Sequence, residues 1–288
     1  MSGPDGARST GPAGTGTEEL SAPAKLTLTL QVTGVRSDGY HLLRSEMVSI
    51  DLADSLWIGA GRGLTVSTAP AGAGEGPGPG RPAPSATVPV GHDNLVTRAL
   101  AAVGRTARVD LVKRIPAGAG LGGGSADAAA VLRWAGCWDP AVAAGLGADV
   151  PFCLSGGRAS VGGIGEVVTP LPYRELRFTL LLVPFGVDTA AVYRAWNGMA
   201  AAGELPPTGS GSNDLEAPAL RVEPRLARWR TVFEQATGRR ARLAGSGSTW
   251  FVEGGPDRSE LGCRPALRLG GEQAQLVSVR TVQPVPRG

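Results

Sequence analysis

The chain has 288 residues, 42% of them hydrophobic, and a formal net charge of +3. That length can bury a full core as one large or two small domains. The charge is too small to call for a nucleic-acid partner, and no apolar run is long enough to span a bilayer as a helix or to mark a membrane partner.

In chain order, residues 1–20 are Gly, Ser, Thr, Pro and Ala with scattered charge. They lack the apolar centre of a signal peptide and read as a disordered tail on a cytoplasmic protein. Leu26, Leu28, Leu30 and Val32 then alternate with Lys25, Thr27, Thr29 and Gln31. This predicts a half-buried strand with Lys25 and Thr27 on the face opposite the leucines. The turn Arg36-Ser37-Asp38-Gly39 leads into a second strand, 42–52. Residues 69–90, dense in Gly, Pro and Ala, read as an exposed excursion. A helix over 94–103, a strand over 107–113, a helix over 125–134 and short paired strands at 157–161 and 166–169 follow. Past 172 the pattern gives a strongly apolar strand at 176–183, helices at 189–201 and 225–235, a strand–turn–strand over 243–252 and a closing strand at 275–282. Mixed hairpins and helices predict an α+β fold and not a doubly wound parallel sheet. Cys137, Cys153 and Cys263 show neither metal spacing nor an even framework and read as reduced thiols.

The most informative stretch is Ile115 to Ala130. It holds Gly118, Gly120, Gly122, Gly123 and Gly124 and turns at once into helix-forming residues. Glycine lets backbone approach a ligand closely. Ser125 suits the N-cap of the following helix, whose free N–H groups and positive dipole end would face the loop and bind phosphate. A Walker loop is excluded because the chain has no Gly-Lys pair. A dinucleotide fingerprint is rejected because Pro116 interrupts the tight turn and Asp139 precedes Pro140. His-Arg-Asp and Asp-Phe-Gly, expected downstream of a protein-kinase loop, do not occur.

What remains resembles the phosphate loop of the galactokinase, homoserine kinase, mevalonate kinase and phosphomevalonate kinase (GHMP) superfamily. Within it, the chain looks most like the branch that phosphorylates 4-diphosphocytidyl-2-C-methyl-D-erythritol. The supporting segments occur in order: Pro23-Ala24-Lys25-Leu26, Asp38-Gly39-Tyr40-His41, Asp93-Asn94-Leu95, the stretch from Leu146 to Phe152, Gly163-Ile164-Gly165-Glu166, Asn213-Asp214-Leu215-Glu216 and Ala244-Gly245-Ser246-Gly247-Ser248. The resemblance runs from about Ala22 to the C-terminus. It implies two α+β domains, an ATP-binding one over 21–171 and a C-terminal one over 172–288, with the site in the cleft between them. It also implies ATP and Mg²⁺ as companions and a small-molecule substrate carrying a cytidine diphosphate group.

Phosphoryl transfer needs positioning, neutralisation of phosphate charge and often a base. Asp149, in an apolar Gly-Ala-Asp-Val-Pro-Phe setting, is the candidate base, although aspartate there also suits a helix or turn cap. Lys25 is its candidate partner for the attacking hydroxyl. Lys25 and Lys113 are the only lysines in an arginine-rich chain, and arginine cannot replace a compact ammonium at a tight site. The loop residues Pro116, Gly118, Gly120, Leu121, Gly122, Gly123, Gly124 and Ser125 are assigned to the nucleotide phosphates. Asn94 and Lys113 match family positions near adenine and ribose; taken alone they read as a helix cap and a solvated strand end. Tyr40, His41 and Tyr193 match the family's cytidine site, with Thr189 at the start of the helix that carries Tyr193. Gly245, Ser246 and Gly247 would shape the substrate side. The family usually has asparagine where this chain has Thr27, which places the contact to the erythritol end in question. Two rivals stay open: a sister kinase for homoserine or mevalonate, and a non-catalytic nucleotide-binding protein. Metal ligands are not assigned.

Overall fold

The computed structural model describes residues 17–71, 90–209, 211–254 and 266–286. The 1–20 tail and the 69–90 excursion fall largely outside these residues, as does Cys263. Where the two meet, the tail is shorter than expected, because the first strand already starts at Glu18.

Strands β1 (Glu18–Val35) and β2 (His41–Gly59) pair antiparallel along nearly their whole length, around a turn in which Gly39 has φ +88°. β3 (Gly63–Thr68) is parallel to β4 (Arg108–Lys113), and β4 pairs with the far half of β2. Helix α1 (Leu95–Ala102) lies between them in sequence. After β4 come α2 (Gly123–Trp134), α3 (Pro140–Leu146) and α4 (Val150–Ser155). The hairpin β5 (Arg158–Gly162) and β6 (Val167–Pro170) then completes a six-stranded sheet in the order β3-β4-β2-β5-β6, with β1 on β2.

The second sheet begins with β7 (Arg177–Leu182). Helices α5 (Thr189–Ala201), α6 (Glu216–Val222) and α7 (Arg225–Thr237) follow, then β8 (Arg242–Leu243), β9 (Trp250–Glu253), β10 (Ala266–Leu269) and β11 (Glu272–Arg280). Its order is β10-β11-β7-β9-β8. Period-2 alternation explains its apolar character. Phe178, Leu180, Phe251, Val277 and Val279 face Leu26, Leu28, Val48 and Ile50 of the first sheet. Leu181, Val183, Trp250, Val252 and Leu276 face the helical layer with Trp229 and Phe233. Phe178 and Phe251 meet edge to face at 5.8 Å. Such a pair adds ~0.5–1.5 kcal/mol beyond area burial.

β1 departs from the half-buried reading. The leucines are buried as expected, but Lys25 and Thr27 on the other face are also covered, at 6% and 2% exposure. Backbone bonding shows the reason. On the edge of β1 away from β2, Lys25 N–H donates to Leu121 O (3.0 Å), Leu30 N–H donates to Ser212 O (2.9 Å) and Asp214 N–H donates to Leu30 O (2.9 Å). One strand thus holds both the glycine loop and the Asn213 segment.

Candidate active site

A cavity of about 960 Å³ opens between the glycine loop, the start of β2, α5 and the Gly245 turn. Every site residue expected from sequence lines it except Thr27 and Gly247. Thr27 is sealed behind Lys25, and Gly247 packs against Leu243.

The loop shows why its glycines are glycines. Gly118, Gly120 and Gly122 have φ of +70°, +73° and +68°, a region side chains resist. A Cβ at Gly120 would lie 2.5 Å from the carbonyl oxygens of both Ala244 and Gly247. A Cβ at Gly122 would lie 2.7 Å from Lys25 Cγ. Ser125 is not the N-cap. Left-handed Gly122 starts α2 without a side-chain cap, so Ser125 is the third helical residue. The N–H groups of Gly123, Gly124 and Ser125 have no backbone acceptor among the described residues, which leaves an anion site at the helix start.

Lys25 lies over this loop. Its Nζ donates to Thr27 Oγ1 at 3.2 Å and pairs with Asp149 Oδ2 at 3.4 Å. Asp149 occupies the N-cap position of α4 but makes no side-chain cap bond, so its carboxylate is left for the cavity. Burial pushes the neighbouring Cys153 thiol up to about 12, with the Asp149 charge adding to it, which makes that thiol inert.

Lys113 is neither a solvated strand end nor a free cation. Its Nζ donates to Asp127 Oδ2 at 2.6 Å and to Asp54. Burial alone would lower the Lys113 ammonium, but the two carboxylates outweigh it and hold it above the ordinary lysine value. Burial raises Asp127 to about 8, against the pull of Lys113, and the Asp54 charge adds to the rise. Asp127 Oδ1 is buried without a partner. Asp54 also accepts from the backbone N–H groups of Arg114 (2.5 Å) and Ile115 (2.9 Å), which anchors the entry to the loop. Asn94 caps α1 by accepting from Val96 N–H at 2.8 Å.

At the other end, His41 stacks on Tyr193 with ring centroids 4.6 Å apart and meets Trp196 edge-on at 5.0 Å. Its Nε2 lies 2.8 Å from Asn197 Oδ1. Tyr40 stays 57% exposed on the rim, with the Arg36 guanidinium over its ring at 5.5 Å. Burial raises the Tyr193 phenol to about 12, with the Asp149 charge adding, so it stays neutral. Thr189 and Ser246 share a hydroxyl bond at 2.8 Å that joins α5 to the Gly245 turn. Asn213 supports that turn by donating to Leu243 O (3.0 Å) and Gly245 O (2.7 Å). Asp54 and Asn197 carry no sequence signal of their own, while Asp127 lies inside the glycine-loop motif but was given no role. Asn213 had a signal, since it lies inside a matched segment.

The chain matches the GHMP kinases N terminal domain over residues 94–157. It is 39% identical over 250 residues to the 4-diphosphocytidyl-2-C-methyl-D-erythritol kinase of Paracoccus denitrificans (strain Pd 1222), covering 80% of this chain and 85% of that protein. Identity to the kinase of the same name from Cereibacter sphaeroides (strain KD131 / KCTC 12085) is 39% over 280 residues, covering 88% and 95%. Among solved structures, a 4-(cytidine 5'-diphospho)-2C-methyl-D-erythritol kinase aligns with a TM-score of 0.62 and 31% identity, covering 92% of this chain and all of the other. A mevalonate kinase structure shares the fold, with a TM-score of 0.56 at 11% identity, covering 92% of this chain and 99% of the other.

Proposed function

The chain belongs to the 4-diphosphocytidyl-2-C-methyl-D-erythritol kinase family of GHMP kinases, and from that premise we propose how its cleft works. It is a small-molecule kinase. It transfers the γ-phosphoryl group of ATP to the 2-hydroxyl of 4-diphosphocytidyl-2-C-methyl-D-erythritol, a step towards isoprenoid precursors by the non-mevalonate route. The observation that carries this reading is the Lys25–Asp149 pair at 3.4 Å, set between an anion-binding helix start and an aromatic–imidazole cluster.

The loop N–H groups and the dipole of α2 hold the phosphates of the donor. Lys25 lowers the charge between donor and acceptor and steadies the attacking hydroxyl. Asp149 takes the proton as that oxygen bonds to the γ-phosphorus, and ADP leaves with the electrons of the broken P–O bond. His41, Tyr193 and the rim residue Tyr40 hold the cytosine end of the acceptor, away from the reacting atoms.

Magnesium fits the cavity as a companion of the nucleotide, since it prefers phosphate oxygens, waters and one or two protein oxygens. Ser125 Oγ, which has no partner among the described residues, is the protein group that would hold it. When bound it supplies charge neutralisation. Among the described residues no three His, Cys, Asp or Glu side chains form a metal cluster. Among the described residues no helix is long and apolar enough to cross a membrane. A cytoplasmic location is part of the proposal and fits the free thiols of Cys137 and Cys153.

The test is ADP release with 4-diphosphocytidyl-2-C-methyl-D-erythritol, homoserine and mevalonate in parallel. The cytidine substrate should give the highest kcat/KM. Faster turnover of either other alcohol refutes the substrate assignment.

A further inference from the structure

We infer that Asn197 is a positioning residue that sets which base the cleft reads, by holding His41 as the Nε2-protonated tautomer with Nδ1 left as an acceptor for an amino-bearing pyrimidine. The inference deepens the proposed function and rests on it.

Tyr193, Trp196 and Asn197 stand at i, i+3 and i+4 of α5, so they share one face of the helix. All three converge on His41. Tyr193 stacks on the ring at 4.6 Å and 33°, Trp196 meets it edge-on at 88°, and Asn197 Oδ1 lies 2.8 Å from Nε2. Together they fix the plane and the rotation of the imidazole. An amide oxygen can only accept, so the nitrogen facing it must carry hydrogen. A neutral imidazole carries one ring hydrogen, which leaves a lone pair on Nδ1. Nδ1 makes no hydrogen bond within the described protein, and it is not among the polar atoms sealed from solvent. It is therefore open to a ligand in the cavity that His41 lines.

A lone pair there accepts from the exocyclic amino group of cytosine. Against uracil it would face a carbonyl oxygen, two acceptors with no hydrogen between them. A site built to make a hydrogen bond rejects the analogue that lacks it far more strongly than a site that relies on shape. The expected preference for a cytosine over a uracil nucleotide is about 10- to 100-fold, the range of one satisfied bond against one unsatisfied pair. The opposite amide orientation, with Asn197 Nδ2 donating to Nε2, would put the hydrogen on Nδ1 and reverse the preference. Aspartate has no donor and so separates the two cases.

The chain has only two histidines, His41 and His92, so ¹⁵N spectra of labelled protein read His41 directly once His92→Gln has removed the other signal. The parent protein should show the Nε2–H tautomer at mildly alkaline pH and bind CDP more tightly than UDP. Asn197→Leu should give a tautomer mixture, lose most of the CDP preference, and raise KM for the cytidine substrate by about tenfold more than it lowers kcat. Asn197→Asp should keep both the tautomer and the preference. An Nδ1–H tautomer in the parent, an unchanged CDP preference in Asn197→Leu, or a preference reversed in Asn197→Asp overturns the role of Asn197. If the parent binds ATP but neither CDP nor UDP, the cytidine substrate itself is refuted, and the base-reading role falls with it.

Discussion

Replacing Gly120 by alanine should disable the enzyme through backbone geometry alone. An alanine at φ +73° costs about 1–2 kcal/mol relative to a right-handed position. Its Cβ would also lie 2.5 Å from the carbonyl oxygens of Ala244 and Gly247. Ordinary contacts sit near 3.5 Å, so the loop and the Gly245 turn must part by about 1 Å. Neither side can yield by rotating a side chain, because both obstacles are backbone. The turn lies beside Lys25, with an ideal Cβ on Gly245 only 3.5 Å from Lys25 Nζ, so the parting misplaces both walls of the cleft. A shift of about 1 Å at a reacting centre can cost about 100-fold. Gly120→Ala should therefore lower kcat/KM by about two powers of ten in a coupled ADP-release assay. Gly145→Ala is the control. Gly145 lies within α3, has no positive φ, and its Cβ would meet nothing within 4 Å. It should melt at the same temperature as the parent or higher, since alanine is favoured over glycine in helices by about 0.5–1 kcal/mol. Parental kcat/KM in Gly120→Ala would refute the geometric account, and so would equal damage from Gly145→Ala.

Three further expectations concern side chains. Asp149→Asn should leave ATP affinity within about twofold by calorimetry and cut kcat by about 100-fold or more, the scale of a lost general base; near-parental turnover removes Asp149 from the mechanism. Tyr193→Ala should weaken the cytidine substrate by about 10- to 100-fold, from ~1–3 kcal/mol of stacking and support of His41, with ATP binding unchanged. Parental affinity for the cytidine substrate would place the base elsewhere. Asp127 titrates at about 8 in the folded protein against an ordinary 3.8, so the folded state keeps a proton that the unfolded chain releases. The linked stability is fully present below the ordinary value and is lost as pH rises to about 8. Denaturant unfolding should show lower stability near about pH 9 than near about pH 6, with the slope flattened in Asp127→Asn. An identical slope in that variant refutes the assignment.

The parts of the fold that depend on local rules were legible. Helix α5 runs from Thr189 to Ala201 as its pattern predicts, and the glycine loop demanded close backbone approach and has it. What was not legible lies where long-range context decides. β3 is a six-residue strand at a sheet end, and α3, α4 and α6 have seven residues or fewer, too short for a periodic signal. Ser125 followed the capping preference of its residue type, but left-handed Gly122 started the helix earlier. The two carboxylates on Lys113 come from positions 59 and 14 residues away, and although Asp127 lies in the glycine-loop motif, no local rule pairs either of them with the lysine. Asn197 escaped notice because its role exists only once α5 is laid against the start of β2.

The threonine at position 27, where the family usually has asparagine, takes a different meaning from this geometry. Thr27 is buried and does not line the cavity. It accepts from Lys25 Nζ at 3.2 Å, opposite Asp149 at 3.4 Å. An ammonium has three donors. One is fixed by Thr27, one is directed at Asp149, and one is left for a ligand. The backbone of Gly122, where a Cβ would strike Lys25 Cγ, closes the remaining side. A threonine at position 27 thus keeps the lysine aimed. In the proposed mechanism, selection comes from the far end of the cleft, where Tyr193 and Asn197 both hold His41. The proposed chemistry sits on β1 and the start of α4, and the proposed choice of substrate on the start of β2 and α5. In the proposed mechanism, a change at one end can therefore alter specificity without touching the groups that move the phosphoryl group.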